Sequence, residues 1–278
     1  MSKHILLTGS TGFIGNHILN KLISLGCLIK LVIREGSEKK IQTHKSIVSI
    51  ITSKDIFLES EEFWVKACFE IDIVIHSAWY TVPGKYQQSS LNMDCLIGTL
   101  NLAKGAKKAG VKKIVGIGTC AEYDDSDLPL SNTSPLNPKT PYASAKAATY
   151  FALEKWCELS SINFAWCRLF YIYGEGEHPS RLYPYLISKM RENKPAEMSS
   201  GNQVRDFLPV KEVAKEIIKI ALNSQNGPIN ICSGIPITIK EFAIKIADQF
   251  DKRNLLIFGA RKDNIFDPPF IVGKKEII

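Results

Sequence analysis

The sequence lacks two features that direct a chain to a membrane. None of its apolar stretches reaches the length needed to cross a bilayer, and no positively charged segment leads into the first apolar run, Ile5-Leu6-Leu7. The apolar (45%) and charged (23%) fractions are ordinary for a globular chain. We therefore expect a cytoplasmic protein without a membrane partner.

The cysteines lack the spacing of a metal site or of a disulfide framework. There are seven of them, scattered along the chain, and no Cys-x-x-Cys motif occurs. The sequence therefore predicts reduced cysteines in the core and no metal site.

A continuous basic stripe with interleaved aromatic residues is also missing, although the formal net charge is +7. The lysines are dispersed, for example as Lys39-Lys40, Lys107-Lys108, Lys112-Lys113 and Lys274-Lys275. We interpret them as solvated surface and expect no nucleic-acid partner; a field that attracts an anionic substrate is the alternative.

Apolar strand-like runs alternate with helical patterns along the chain. Strands are predicted at 5–8, 28–33, 47–51, 73–76, 114–117 and 164–169. Helices are predicted at 12–25, 89–109, 142–160, 182–193, 210–223 and 239–250. This alternation predicts an α/β fold with a doubly wound parallel sheet.

The turn between the first strand and the first helix reads Thr8-Gly9-Ser10-Thr11-Gly12-Phe13-Ile14-Gly15. Glycines at this spacing allow a tight turn, close approach of a pyrophosphate and close packing of the helix. The context predicts a Rossmann domain that binds a dinucleotide through Gly9, Thr11, Gly12, Phe13, Ile14 and Gly15. A structural turn without cofactor is the alternative.

We assign residues 1–170, with returning segments near 204–233, to this dinucleotide-binding domain. Residues 171–203 and 234–278, rich in Pro and Gly turns, are predicted to form a smaller C-terminal substrate-binding lobe.

The end of the second strand bears on the choice of cofactor. Arg34 takes the position where a cation accommodates the extra phosphate of NADP, and Glu35, the next residue, is the type that holds the ribose of NAD. We favour NADP, with NAD as the alternative. Asp55, after the third strand, is predicted either to accept hydrogen bonds from adenine or to lie in an exposed turn.

A Tyr-x-x-x-Lys pair occurs within Pro141-Tyr142-Ala143-Ser144-Ala145-Lys146, downstream of Thr119. On a helix the two side chains share a face, so the ammonium can favour the ionised phenol and make it a usable proton donor. Tyr185 and Lys189 have the same spacing but lie in an apolar-periodic helix, and we interpret them as structural.

These segments resemble the extended short-chain dehydrogenases/reductases, the NAD(P)-dependent nucleotide-sugar epimerase/dehydratase/reductase group, over nearly the whole chain. The matching segments are the glycine turn, Asp72-Ile73-Val74-Ile75-His76-Ser77-Ala78, Gly98-Thr99-Leu100-Asn101-Leu102, Gly118-Thr119, the Tyr142/Lys146 pair, Arg168 to Gly174, Arg205-Asp206-Phe207-Leu208-Pro209-Val210 and Asn230-Ile231-Cys232-Ser233-Gly234.

The resemblance implies that Tyr142 is the acid/base, that Lys146 lowers its pKa and holds the nicotinamide ribose, and that Thr119 hydrogen-bonds the reacting oxygen. General chemistry agrees, because a hydroxyl and a phenol aimed at that oxygen stabilise the charge that builds there. The resemblance also places Ala78 beside the cofactor. It implies a homodimer through a bundle formed by the family's fourth and fifth helices, the fourth being the one that carries Gly98-Thr99.

For the substrate, a nucleoside-diphosphate sugar, the resemblance directs attention to a set of polar side chains: Arg181, Arg205, Arg261, Glu122, Tyr171 and Asn92. Ordinary surface roles for Arg181 and Arg261, and a solvated role for Glu122, are the alternatives. Tyr171 stands where many relatives have asparagine, and Asn92 is three residues before the usual asparagine position, which holds Cys95.

One departure from the family pattern narrows the reaction. Sugar 4,6-dehydratases carry Asp-Glu directly after the active-site threonine, whereas this chain has Cys120-Ala121. Our leading hypothesis is therefore an NADP-dependent reductase of a nucleoside-diphosphate 4-keto-6-deoxyhexose, in the biosynthesis of deoxysugars for a surface polysaccharide. A 4-epimerase with tightly held NAD is the second hypothesis, and a non-catalytic dinucleotide-binding protein is the third.

Overall fold

The computed structural model describes residues 3–264 and 267–276. The domain assignments given to the other six residues of the chain lie outside the described residues. The helices are α1 (Phe13–Ser24), α2 (Glu61–Ala67), α3 (Leu91–Lys108), α4 (Pro141–Leu159), α5 (Leu182–Arg191), α6 (Val210–Leu222) and α7 (Ile239–Asp248). The first seven strands are β1 (His4–Thr8), β2 (Leu28–Arg34), β3 (Ile47–Ser53), β4 (Ile73–His76), β5 (Lys113–Thr119), β6 (Asn163–Leu169) and β7 (Tyr171–Tyr173). The later strands are β8 (Ala196–Glu197), β9 (Val204–Arg205), β10 (Phe207–Pro209), β11 (Gly227–Ile231), β12 (Ile237–Thr238), β13 (Leu256–Ile257) and β14 (Phe270–Ile271).

Seven of these strands form one parallel sheet in the order β11-β6-β5-β4-β1-β2-β3. This confirms the predicted doubly wound α/β fold. The strand order reverses at β1, which pairs with both β2 and β4. Because ligands of such sheets bind at the carboxyl ends of the strands beside this reversal, Thr8 and His76 mark the expected position of a site.

Burial on both faces of the sheet explains why its strands are continuous apolar runs. Ile5 and Leu7 of β1 point into a cluster with α1 and α6, and Leu6 between them points into a cluster with α2, α3 and α4. All three side chains have no exposed surface. The alternating direction of side chains along a strand thus anchors helices to both faces.

A third apolar cluster joins α5 to α7 on the far side of the carboxyl ends of the sheet. Its buried members include Leu186, Met190, Phe242 and Ile246. Three small sheets accompany it: β10-β7, β12-β9-β14 and β13-β8. The division of the chain into two domains at the boundaries given above stays a prediction. Within the described residues, every helix is too short or too polar to cross a bilayer.

Candidate active site

A cavity of about 1050 Å³ lies at the carboxyl ends of the sheet strands and is closed on its other side by residues of α5 and α7. Its wall includes every residue of the predicted cofactor site: Gly9, Thr11, Gly12, Phe13, Ile14, Gly15, Arg34, Asp55, Ala78, Tyr142 and Lys146. Thr119, Tyr171 and Arg181 also line it. The structure thus brings most of the predicted site residues into one cavity.

The glycine turn requires glycine at two positions. Gly9 has φ +74°, and a Cβ there would lie 2.7 Å from the backbone nitrogen of Ala78. A Cβ on Gly15 would lie 2.0 Å from the Gly9 carbonyl oxygen. Gly12 caps α1 without a side-chain hydrogen bond, so the helix presents its first amides to the cavity without a competing side chain. This arrangement fits the pyrophosphate of a dinucleotide.

Two cationic side chains and one hydroxyl line the cavity at and just after the end of β2. Arg34, Ser37 and Lys40 line the cavity there, whereas Glu35 does not. Asp55 lines the same end, but its Oδ1 accepts a hydrogen bond from the backbone N–H of Phe57 at 3.0 Å, as in a local turn. Side chains of these types at this position can donate hydrogen bonds to the adenosine end of a dinucleotide.

Tyr142, Lys146 and Thr119 meet at the start of α4. Pro141 occupies the first turn of this helix, and the side chain of Thr140 accepts a hydrogen bond from the Ala143 amide, which defines where the helix begins. Thr119, at the end of β5, lies close enough to Tyr142 for its hydroxyl to lower the pKa of that phenol. One turn further along α4, the buried Lys146 Nζ donates to the carbonyl oxygen of Ile117 at 2.6 Å.

The ionisation of this pair differs from the sequence prediction. Burial, followed by the neighbouring Tyr86, raises the pKa of Tyr142 well above its ordinary value, and the Thr119 hydrogen bond offsets only part of this. Burial lowers the pKa of Lys146 to about 7. The expected lowering of the Tyr142 pKa by Lys146 is therefore not observed, because desolvation dominates and the ammonium is directed to Ile117 and to the face of Trp79.

Glu122 is fully buried and does not line the cavity, so its predicted contact with substrate is wrong. Its Oε1 accepts a hydrogen bond from the backbone N–H of Thr119 at 2.8 Å, and its Oε2 is 2.7 Å from Arg168 Nε. Trp166 Nε1 donates to the same carboxylate at 3.0 Å. The carboxylate thus supports the backbone of Thr119 from behind the cavity.

Two of the three predicted substrate arginines lie away from the cavity wall. Arg205 is fully buried, and its Nη2 lies 2.7 Å from Asp267, whose side chain lines the cavity in its place. Arg261 is exposed and donates to the Tyr185 hydroxyl at 3.1 Å. These two predictions are corrected, and only Arg181 lines the cavity as expected.

Asn92 does not contact the cavity either. Its side chain is 1% exposed and is hydrogen-bonded to Trp79 and to two backbone carbonyls, so the prediction of substrate contact is wrong. Both amide hydrogens bond to backbone carbonyls and the amide oxygen accepts from the Trp79 indole, so the side chain is held within the protein.

The side chains of the cavity wall that the sequence reasoning missed include Trp79, Tyr86, Glu177 and His178. Burial raises the pKa of Glu177 to about 7. Trp79 and Glu177 had a usable signal, since one directly follows Ala78 and the other lies just beyond the family-like segment that ends at Gly174. Tyr86 and His178 lie in loops without a recognisable motif.

Comparison with known proteins agrees with this geometry. Residues 5–232 match the sequence model of the NAD dependent epimerase/dehydratase family. The chain is 29% identical over 276 residues to a putative UDP-glucose 4-epimerase of Methanocaldococcus jannaschii, covering 95% of this chain and 86% of the relative. It is 24% identical over 242 residues to a dTDP-6-deoxy-L-talose 4-dehydrogenase (NAD(+)) of Aggregatibacter actinomycetemcomitans, covering 85% of this chain and 87% of the relative.

Among solved structures, the fold is similar to that of a UDP-N-acetylglucosamine 4-epimerase from Methanobrevibacter ruminantium in complex with UDP-N-acetylmuramic acid. The TM-score is 0.86 at 24% sequence identity, over 99% of this chain and 90% of that one. Since the family match covers most of the chain and includes both the glycine turn and the Tyr142/Lys146 pair, the protein belongs to the NAD dependent epimerase/dehydratase family.

Proposed function

We propose that the protein is a nucleotide-sugar 4-epimerase that oxidises and re-reduces one carbon of its substrate. The single observation that carries this proposal is that Thr119, Tyr142 and Lys146 line the same cavity as the glycine turn. A nicotinamide cofactor bound at that turn would supply a hydride acceptor and donor. The three side chains would then act on the sugar oxygen.

In this mechanism Tyr142 reacts as its phenolate: it takes the proton from the sugar hydroxyl as the carbon is oxidised, and returns it after the sugar has presented its other face. Thr119 hydrogen-bonds the same oxygen and stabilises the charge that develops on it. Lys146 would hold the cofactor ribose and place a cation near Tyr142, which favours the phenolate against the burial that raises the pKa of this side chain. Such positioned groups contribute about 10²–10⁴-fold to proton transfer.

The residues after Thr119 argue against dehydration as the overall reaction. Elimination of water requires an acid and a base in addition to the tyrosine, and Cys120 and Ala121 supply neither. Burial raises the pKa of Cys120 to about 12, so its thiol stays protonated near neutral pH. The named activities of the similar proteins from M. jannaschii and M. ruminantium support 4-epimerisation of a UDP-sugar.

A second candidate is an NADP-dependent reductase of a nucleoside-diphosphate 4-keto-6-deoxyhexose. The cluster of Arg34, Ser37 and Lys40 at the end of β2 favours it, because a soluble reductant must be exchanged each turnover and these donors suit the NADP phosphate. The similarity to the 4-dehydrogenase of A. actinomycetemcomitans supports the same substrate class. This reductase would serve deoxysugar synthesis for a surface polysaccharide.

One experiment separates the two candidates. The purified protein is analysed for bound nucleotide after denaturation, and is then supplied with UDP-hexoses and, separately, with nucleoside-diphosphate 4-keto-6-deoxysugars and NADPH or NADH. An epimerase interconverts the C4 epimers of a UDP-hexose without net change in nicotinamide absorbance. A reductase oxidises one NAD(P)H for each ketosugar consumed, and inactivity toward both panels would contradict both candidates.

We further propose a homodimer formed through α3 and α4. Met93 and Ile97 lie one turn apart on α3 and are 58% and 51% exposed, and Phe151 on the neighbouring α4 is 56% exposed. Apolar side chains on two adjacent helices form a self-complementary patch that suits a second copy of the chain. Sedimentation of the wild type and of Ile97→Glu tests this, and the variant should be monomeric.

A further inference from the structure

The buried side-chain amide of Asn92 bonds to two residues, Trp79 and Tyr86, that contact Lys146 and Tyr142 respectively. Asn92 Oδ1 accepts a hydrogen bond from Trp79 Nε1 at 2.9 Å, and Asn92 Nδ2 donates to the backbone carbonyl oxygens of Tyr86 at 2.7 Å and Ser89 at 2.9 Å. An indole N–H only donates and a carbonyl only accepts, so the amide has one satisfactory orientation. Because it is 1% exposed, any lost bond leaves a buried group unpaired.

The indole of Trp79, which donates to Asn92, packs against the Lys146 ammonium. Lys146 Nζ is 3.6 Å from the centroid of the Trp79 ring. Its other close partner is the Ile117 carbonyl oxygen. The titratable groups that act on it through space are Glu122, Cys95 and His76, and in the described part of the chain no carboxylate forms an ion pair with it. The face of an indole attracts a desolvated ammonium, so Trp79 helps to keep this lysine charged.

The ring of Tyr86, whose carbonyl oxygen accepts from Asn92, packs on the ring of Tyr142. The rings of Tyr86 and Tyr142 meet edge to face, with centroids 4.7 Å apart and planes at 90°. The backbone of Tyr86 is held by Asn92, and its ring also lies 5.8 Å from the Arg181 guanidinium carbon. The orientation of the catalytic phenol therefore depends on a loop that Asn92 fixes to the start of α3.

We propose that Asn92 is a positioning residue that holds Trp79 against the Lys146 ammonium and Tyr86 against the Tyr142 ring. The proposal rests on the roles of Tyr142 and Lys146 in the proposed function. It gives Trp79 and Asn92 a part in the reaction although neither side chain has a group that exchanges protons with substrate.

The direct test is the proton affinity of Lys146, followed by NMR of nitrogen-15 lysine in the purified protein, with Lys146→Met to assign the signal. Trp79→Leu keeps the site dry but removes the aromatic face, and we expect a roughly tenfold loss of proton affinity. Trp79→Phe should lose less. Asn92→Leu should change the affinity in the same direction as Trp79→Leu, because the indole is no longer held.

The matched control is Asn101→Leu, on the same helix, since Asn101 makes one long bond of 3.5 Å to the Glu59 carbonyl oxygen. It should leave the Lys146 titration unchanged. An unchanged titration in Trp79→Leu overturns the proposal, and so does an increase in proton affinity, which would mean that Trp79 acts only by excluding water. An unchanged titration in Asn92→Leu also overturns it, and Asn92→Ser takes the place of Asn92→Leu should that variant fail to fold.

Turnover gives a second reading once the substrate is known. In Trp79→Leu and Asn92→Leu we expect kcat to fall about tenfold with little change in KM. The alkaline limb of the pH profile of kcat should shift to lower pH than in the wild type, because Lys146 loses its proton more easily in these variants. A Tyr142→Phe variant that stays active would refute the proposed function, whereas the NMR titration would still decide the role of Asn92.

Discussion

Glu122 and Arg168 form an ion pair in which neither side chain has more than 1% exposure, with Arg168 Nε 2.7 Å from Glu122 Oε2. The pair lies directly behind Thr119, whose backbone N–H donates to the same carboxylate. Arg168 Nη1 also donates to the Tyr123 hydroxyl and to the Asn132 carbonyl oxygen, both at 3.2 Å. The candidate catalytic threonine is therefore fixed by charges that have no contact with solvent.

Replacing one member of this pair should cost much more stability than replacing an exposed partner. Arg168→Met leaves the Glu122 carboxylate buried without its cation, and we expect the free energy of unfolding in urea to fall by about 3–5 kcal/mol. The control is Lys139→Met, which breaks an exposed pair with Asp124 at 3.1 Å and should cost less than about 1 kcal/mol. An equal decrease in the free energy of unfolding in the two variants would contradict this account of the buried pair.

The sequence predicted the sheet well because its strands are buried on both faces. All six predicted strands are present, and β5 and α4 bring Thr119 and Tyr142 to the cavity as expected. Helix α2 was not predicted, since seven residues are too few to show a helical period. The short β11 was not predicted as a strand either.

The errors in the site have a common physical cause. Glu122 is held by Arg168, 46 positions away, and Arg205 pairs with Asp267, so the environment of each depends on a distant partner. Asn92 likewise bonds the side chain of Trp79. Local patterns do not reveal such pairings, and a charged residue near a motif was therefore assigned to the substrate instead of to the protein interior.

Stability at acid pH should depend on His76. Burial lowers the pKa of His76 to about 3, while the unfolded chain titrates near 6.5. Between these values the unfolded state binds a proton that the folded state does not, so this histidine makes stability fall as the pH falls, by at most about 1.4 kcal/mol per pH unit.

Urea unfolding measured between pH 4 and 7 checks this. The slope of stability against pH should be shallower in His76→Asn than in the wild type, although the variant also loses the contacts of the ring with Thr8 at 2.8 Å and Thr99 at 3.0 Å. The same measurement on His178→Asn, at an exposed histidine, is the control for removing an imidazole. A His76→Asn slope equal to that of the wild type would show that the imidazole is protonated in the folded protein.

The two Tyr-x-x-x-Lys pairs provide a matched test of the proposed acid/base. Tyr142→Phe should reduce turnover by about 10²–10⁴-fold and leave the cofactor Kd nearly unchanged, because only the proton-transferring hydroxyl is removed. Tyr185 does not line the cavity, and its hydroxyl donates to the Glu197 carbonyl oxygen at 3.1 Å. Tyr185→Phe should therefore keep turnover within about twofold. The mechanism is wrong if the two variants have the same activity.

Cofactor preference should depend on the cations at the end of β2. Arg34 and Lys40 both line the cavity, and charge-assisted hydrogen bonds to a phosphate are roughly twice as strong as neutral ones. If NADP is the cofactor, Arg34→Ala combined with Lys40→Ala should lower the ratio of NADPH to NADH affinity at least about 10- to 100-fold, measured by nicotinamide fluorescence.

Lys39→Ala is the control, since Lys39 is adjacent in sequence and exposed but does not line the cavity. Its affinity ratio should equal that of the wild type, because the long-range field of one exposed lysine is largely screened at ordinary ionic strength. A wild type that binds NADH and NADPH equally, with no response to the double substitution, would remove the main support for the reductase. The tightly held NAD of a 4-epimerase would then be the better account of this cavity.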